Sequence, residues 1–391
     1  MKLARRIWQI PRAGSIDHLK LISDELPEPG PGEARVAVRA VGLNFADLFA
    51  LQGLYSATPS GTFVPGLEFS GIIEALGPAR AGDASSAGGA APLQAGDRVM
   101  GAIRFGAYAD RLNADLRYLR KIPDGWDFAQ GAALPAQGLT AYYALRELGN
   151  LRANQTVLIH SLAGGVGLLA LEIARRLKAE VIGTIGSPAK IDFLVNECGV
   201  PREQIIVRDP RRFGAQLDVA LAALRERKLA ELPPDVVKAN GEPLYDSRPY
   251  HGFDLILDAV AGEYFQPACT RLQPAGRMIL FGVATMMTGR GRPNYLKLAW
   301  RYLTRPRLDP IEMISDNRNF MAFNLIWLWD RIDELGRLYD ELLALNLPAP
   351  HVGRRFAFED AHAALEYFQS GQSVGKVVLA PGAEPASEPG T

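Results

Sequence analysis

Cysteine is nearly absent: Cys198 and Cys269 are the only two in 391 residues. Two thiols exclude a disulfide framework and a four-cysteine zinc lobe, and they fit a reducing compartment. Net charge is missing as well, with 43 Lys and Arg against 43 Asp and Glu and a pI near 7.0. No global field points to nucleic acid. No apolar run approaches the roughly 18–20 residues of a membrane-spanning helix, and the opening stretch MKLARRIWQIP lacks the long apolar core of a signal peptide. The expected location is therefore the cytoplasm. The five histidines, His18, His160, His251, His351 and His362, are scattered without metal-ligand spacing and read as packed or solvated side chains.

What is present is enough chain for more than one core, since 48% of 391 residues are hydrophobic. The most informative stretch is TVLIHSLAGGVGLLALEIARRL, residues 156–177. Val157, Leu158 and Ile159 read as a short buried strand, and Val166, Leu169, Ala170, Ile173 and Leu177 then recur at helical spacing. Between them stand Gly164, Gly165 and Gly167, which let the backbone approach a ligand where a helix begins, a place suited to a pyrophosphate. Leu162 replaces the first glycine of the dinucleotide fingerprint, but a second strand at 180–185 completes the strand–helix–strand unit that the fingerprint requires.

Further strands at 204–207, 253–258 and 277–281 alternate with helical patterns from about Ala132 onward. That order predicts an α/β fold with a doubly wound parallel sheet, the Rossmann arrangement. Before it the chain is β-rich, with turn chemistry at 27–32, a strand at 33–39 and a low-complexity loop at 79–95. After it come helical patterns at 332–345 and 358–370, a strand at 376–379 and a disordered-looking tail from Pro381. No internal repeat is visible. Coenzyme choice follows from charge. A free ribose usually meets an acid after the second strand, but residues 184–190, TIGSPAK, carry none. Ser187, Lys190 and Arg208 instead suit a 2′-phosphate, which favours NADPH.

The motifs VGLNFADL (41–48), QGLY (52–55), PGLEFSG (65–71), AGDRV (95–99), LTAYY (139–143), AGGVG (163–167) and GKVVL (375–379) together resemble the zinc-free medium-chain dehydrogenase/reductases, in their quinone oxidoreductase branch. Within that branch LFGVATMMTG (280–289) is most similar to vesicle amine transport protein homologues. The resemblance covers nearly the whole chain. It implies a mainly β, partly opened barrel-like (GroES-like) catalytic domain at 1–131 and 316–391. The dinucleotide domain would be 132–315, with an insertion at 216–251 containing a helix at 217–232, and the cofactor would lie in the cleft between the domains. It also implies a homodimer.

Zinc-dependent relatives hold their metal with Cys, a His-Glu pair and a third ligand. Here those places read as Asn44, Leu67 and the vicinity of Ala136 and Gln137, so no catalytic zinc is expected. Without that Lewis acid the favoured chemistry is hydride transfer from NADPH to a quinone or an α,β-unsaturated carbonyl. By resemblance Asn44 orients the nicotinamide and its ribose, and Tyr55 donates a hydrogen bond to the substrate oxygen. Thr140 and Lys376 contact the cofactor, as does Val166 with the glycine turn, and Phe281, Gly282 and Val283 meet the carboxamide. Asp47 keeps the motif's acid, with a helix cap as its alternative role. Val207 stands where the family often has a tyrosine.

Two surfaces remain open. Between 290 and 307, Arg290, Arg292, Lys297, Arg301, Arg305 and Arg307 stand without an acid, interleaved with Tyr295, Trp300 and Tyr302. The reading is a solvated face with its aromatics packed inward. An anionic membrane or a phosphate-bearing handle such as a coenzyme A thioester is the alternative. The stretch FMAFNLIWLW (320–329) is too short to span a bilayer and is expected to line the cleft or a subunit contact. A rival function follows, that of an NADPH-binding protein acting mainly in membrane or partner association with weak reductase activity.

Overall fold

The computed structural model describes residues 3–80, 92–231, 252–289 and 291–381. The middle of the loop expected at 79–95, the end of the insertion, Arg290 and the tail beyond Pro381 lie outside the described residues. The chain divides into two compact units. One comprises Met1–Leu139, Met287–Tyr295 and Asn324–Thr391; the other comprises Thr140–Met286 and Leu296–Phe323.

The second unit is built on six parallel strands. In spatial order they are Ile205–Val207, Glu180–Ile185, Thr156–Ile159, Phe253–Asp258, Leu272–Leu280 and Asn319–Ala322. Counted in chain order this is 3-2-1-4-5-6, the doubly wound order whose ligand crevice opens at the carboxyl ends of strands 1 and 4. All four residues of Thr156–Ile159 are buried, as expected of a strand covered on both faces. Helix Gly165–Arg176 follows it and buries Leu168, Leu169, Ala170, Leu171, Ile173 and Ala174. Leu162 points into the interior, where Gly183 of the neighbouring strand makes room: a Cβ at Gly183 would overlap Leu162 Cδ2. The replacement of the first fingerprint glycine is thus matched by a glycine one strand away.

The first unit carries a seven-stranded sheet. Its path runs Val352–Ala357, Lys376–Ala380, Glu33–Gly42, Glu68–Leu76, Arg98–Ala102 and Leu119–Lys121, and Arg111–Asp115 also pairs with Glu33–Gly42. The sheet is mixed and does not close into a barrel. A two-stranded ribbon, Leu3–Gln9 with Lys20–Leu26, bridges to it at Ala109. One core lies here, where Val36, Val38 and Phe69 meet Leu48, Leu51, Phe358, Leu365 and Leu379.

Three expectations are refined. The helix expected at 217–232 runs from Phe213 to Ala230, because the buried Phe213 already belongs to its apolar face. The stretch 320–329 is two elements, an edge strand Asn319–Ala322 and a single 3-10 turn Leu325–Leu328. The aromatics of 295–302 are not packed inward. Helix Tyr295–Leu303 has no buried residue, with Leu296 87% and Trp300 68% exposed, because among the described residues no other element covers its apolar face. Among the described residues no helix is long and apolar enough to cross a membrane.

Candidate functional site

At the crevice of the parallel sheet, the turn after Thr156–Ile159 places Ser161 in the left-handed region (φ 57°), and Gly164 enters the helix without a side-chain cap. The N–H groups of Gly165, Val166 and Gly167 occupy the first helical turn, whose donors have no intrahelical partner. Gly167 is obligatory, since a Cβ there would collide with Ser161 O and Leu162 O. Gly164, Gly165, Val166 and Gly167 are therefore brought together at the positive end of a twelve-residue helix, a geometry that accepts a phosphate.

Beyond the second strand, Ser187 caps a 3-10 turn by accepting from Ala189 N at 3.3 Å. Lys190 lies on that turn, and Arg208 follows the third strand. Burial and the nearby Arg208 guanidinium push the Lys190 ammonium below its ordinary pKa. Burial also pushes Arg208 down, opposed by Tyr264 and Asp258. Two partly desolvated cations side by side gain most from an anion between them. Arg208 Nη1 donates to Thr184 Oγ1 at 2.8 Å and its guanidinium lies 5.5 Å from the Tyr264 ring centroid. Gly186 keeps the approach open, since a Cβ there would stand 3.2 Å from Arg208 Nη2.

Thr184 also faces His160 Nδ1 at 3.1 Å, and the buried His160 has its pKa pushed down to about 4, chiefly by desolvation. Asp258 Oδ1 accepts from Val260 N and Ala261 N at 2.7 and 2.8 Å, which fixes the loop after the fourth strand. Phe281 N donates to Asp258 O at 3.0 Å, Gly282 would crowd Ala259 O at 2.9 Å with any Cβ, and Val283 is exposed. Thr140 is half-buried on helix Pro135–Tyr142.

In the first unit a second polar centre is wholly buried. Lys376 Nζ, on Lys376–Ala380, donates to Glu68 Oε1 and, at 3.1 Å, to Asn44 Oδ1. Asn44 Nδ2 donates to Glu68 Oε1 at 2.9 Å and to Gly42 O at 3.3 Å, and Ala136 N donates to Glu68 Oε2 at 2.8 Å. Both Asn44 donors are thus committed, and Oδ1 accepts from the Lys376 ammonium. Desolvation lowers the Lys376 pKa against the opposing charge of Glu68. Lys376 was expected to touch the cofactor; here its ammonium is held by Glu68 and orients Asn44. The residues at the expected metal-ligand places do not fit zinc: an amide bonded to the Lys376 ammonium, the buried Leu67 and a backbone N–H bonded to Glu68 are not zinc donors. Among the described residues no group of three or more His, Cys, Asp or Glu could hold a metal.

Asp47 is the helix cap that its alternative role foresaw. Its Oδ2 accepts from Asn44 N at 2.8 Å and from Tyr108 OH at 3.3 Å, closing a capping box on helix Phe45–Leu51. Burial pushes its pKa up to about 7. Tyr55 donates its hydroxyl proton to Asn324 Oδ1 at 2.7 Å, and burial raises its pKa to about 12, so it remains a phenol. Glu68 and Asn324 were not singled out in the sequence. The retained acid beside Leu67 was a signal for Glu68; nothing local marked Asn324.

Comparison with known proteins fits this arrangement. Residues 30–138 match the family described as alcohol dehydrogenase GroES-like domain, and residues 237–379 match that described as zinc-binding dehydrogenase. The chain belongs to the medium-chain dehydrogenase/reductase superfamily. It is 29% identical over 376 residues to the human synaptic vesicle membrane protein VAT-1 homolog, covering 95% of this chain and 85% of that protein. A mycobacterial protein solved in complex with NADPH superposes with a TM-score of 0.74 at 26% identity, over 96% of this chain and 100% of that one. The quinone oxidoreductase of Pseudomonas syringae pv. Tomato gives 0.69 at 25% identity, over 97% and 100%.

Proposed function

We propose that the protein is a zinc-independent, NADPH-dependent reductase of quinones or α,β-unsaturated carbonyls. The observation that carries this reading is the Lys376–Glu68–Asn44 centre, where an internal ammonium bonded to two partners stands at the place of the metal-ligand set. Such a centre offers no Lewis acid to an alcohol, whereas a conjugated acceptor needs only a placed hydride donor and a hydrogen bond to its oxygen. The NADPH complex of the mycobacterial relative supports the coenzyme. Bound NADPH supplies the hydride. The N–H groups of the glycine turn bind the pyrophosphate, and Lys190 and Arg208, with Ser187, bind the 2′-phosphate. Asn44, held by Lys376 and Glu68, orients the nicotinamide and its ribose, and the Tyr55–Asn324 pair faces the oxygen of the acceptor.

The test is turnover on one enone and one ortho-quinone, with NADPH and with NADH. NADPH should drive reduction of at least one acceptor. Asn44→Ala should slow both by roughly 100-fold, since a misplaced hydride donor harms every acceptor. No NADPH-dependent reduction of either acceptor would remove the reading.

A second reading rests on helix Tyr295–Leu303. Its exposed face carries Tyr295, Leu296, Trp300, Tyr302 and Leu303, flanked by Arg301, Arg305 and Arg307, the pattern of a helix lying on an anionic bilayer. The protein should float with phosphatidylserine-containing vesicles and stay behind with pure phosphatidylcholine, and Leu296→Glu combined with Trp300→Glu should abolish flotation. Equal recovery from both vesicle types would remove this reading.

A further inference from the structure

Resting on the reductase reading, we infer that Asn324, through its Nδ2 amide, is the group that donates a hydrogen bond to the substrate oxygen, and that Tyr55 serves to orient that amide. The orientation is fixed by chemistry. Asn324 Oδ1 lies 3.4 Å from Ile326 N, and a backbone N–H can only donate, so the atom facing it is the amide oxygen. The same oxygen accepts the Tyr55 hydroxyl proton at 2.7 Å. Two donors therefore converge on Oδ1 and turn Nδ2 away from both. Among the described residues the hydrogen bonds of the Asn324 side chain are both made at Oδ1, none is found at Nδ2, and the residue is half-buried.

The phenol of Tyr55 has one proton, and it is already given to Asn324. Giving it to a substrate would break a 2.7 Å bond and leave Oδ1 with the longer contact alone. Asn324 meets no such conflict, because accepting at Oδ1 makes the amide a better donor at Nδ2. Asn324 itself begins the 3-10 turn Leu325–Leu328, whose Leu325, Ile326 and Leu328 are buried. A donor mounted on an anchored turn is pre-oriented rather than gathered at the moment of reaction.

In the reaction, hydride adds to the β-carbon of an enone and forms the new C–H bond. The carbon–carbon π pair moves to become the enolate double bond, and the carbonyl π pair goes to oxygen. That oxygen takes the hydrogen bond from Nδ2, water later delivers a proton to the α-carbon, and oxidised coenzyme is left.

The experiment measures turnover on an enone at saturating NADPH, with NADPH affinity measured separately by fluorescence titration. Asn324→Asp keeps an oxygen for Tyr55 and for Ile326 N but has no amide donor. Its kcat should fall roughly 100-fold, the usual consequence of losing one oxyanion donor, with NADPH affinity unchanged. Tyr55→Phe should lose less, and adding it to Asn324→Asp should lower the rate no further. Asn324→Ala discriminates by sign: it should also be slow, whereas a substrate-facing Tyr55 released from its partner would hold or raise the rate. Wild-type rates in Asn324→Asp, or an unimpaired Asn324→Ala, overturn the inference while leaving the reductase reading in place. A wild-type protein that binds NADPH and reduces neither enone nor quinone removes both.

Discussion

Lys376→Met should destabilise the fold by about 3–5 kcal/mol, the usual consequence of removing one partner from a buried ion pair. Lys376 is 1% exposed and Glu68 is 0% exposed, so the remaining carboxylate has no route to water. It would keep the hydrogen bonds from Asn44 Nδ2 and Ala136 N but lose the only opposite charge bonded to it. Urea denaturation at neutral pH measures the loss. The double variant Lys376→Met with Glu68→Gln should recover much of the stability, because the uncompensated charge, rather than the lost attraction, dominates the single variant. A single variant that loses less than about 1 kcal/mol would mean that water reaches Glu68 and that the pair is not a sealed centre.

Lys190→Ala is expected to weaken NADPH by about 1–3 kcal/mol, roughly a 5- to 150-fold rise in Kd, and to leave NADH nearly unchanged. The lysine sits on a short turn behind Ser187 and beside a second cation, and each of the two is desolvated. An ammonium in that state binds a phosphate more strongly than one in free solution, because part of its hydration has already been given up. Arg208 is held by Thr184 and placed against Tyr264, so it keeps its position when Lys190 is removed and a residual preference for NADPH survives. Titration of both coenzymes against both proteins decides the matter. Equal losses for NADPH and NADH would take Lys190 out of the 2′-phosphate site.

Much of this was legible in the sequence because it is local. The buried run Thr156–Ile159, the glycines behind it and the helical spacing after them specify strand, turn and helix within a few residues of one another. The absence of an acid at 184–190 was equally local. What could not be read was carried by partners distant in the chain. Lys376 meets Glu68 across 308 positions, and Tyr55 meets Asn324 across 269. Without the fold no spacing rule joins them. The edge strand Asn319–Ala322 was missed because its burial pattern follows no clean alternation. The aromatics at 295–302 read as inward-facing because large rings usually are; nothing within that segment reveals that no element among the described residues lies over it.

Leu162 and Gly183 carry a consequence for how this fold can vary. The leucine fills the space that the strand glycine leaves, and any side chain on the strand would strike it. The two sites are therefore a lock and its complement, and either can change only in step with the other. A shift of bulk from one side of this contact to the other leaves Gly167, five residues on in the chain, still pressed against the Ser161 and Leu162 carbonyls. The contact at Gly183 is with the Leu162 side chain, whereas that at Gly167 is with backbone, so interior packing here can be exchanged without redrawing the turn itself.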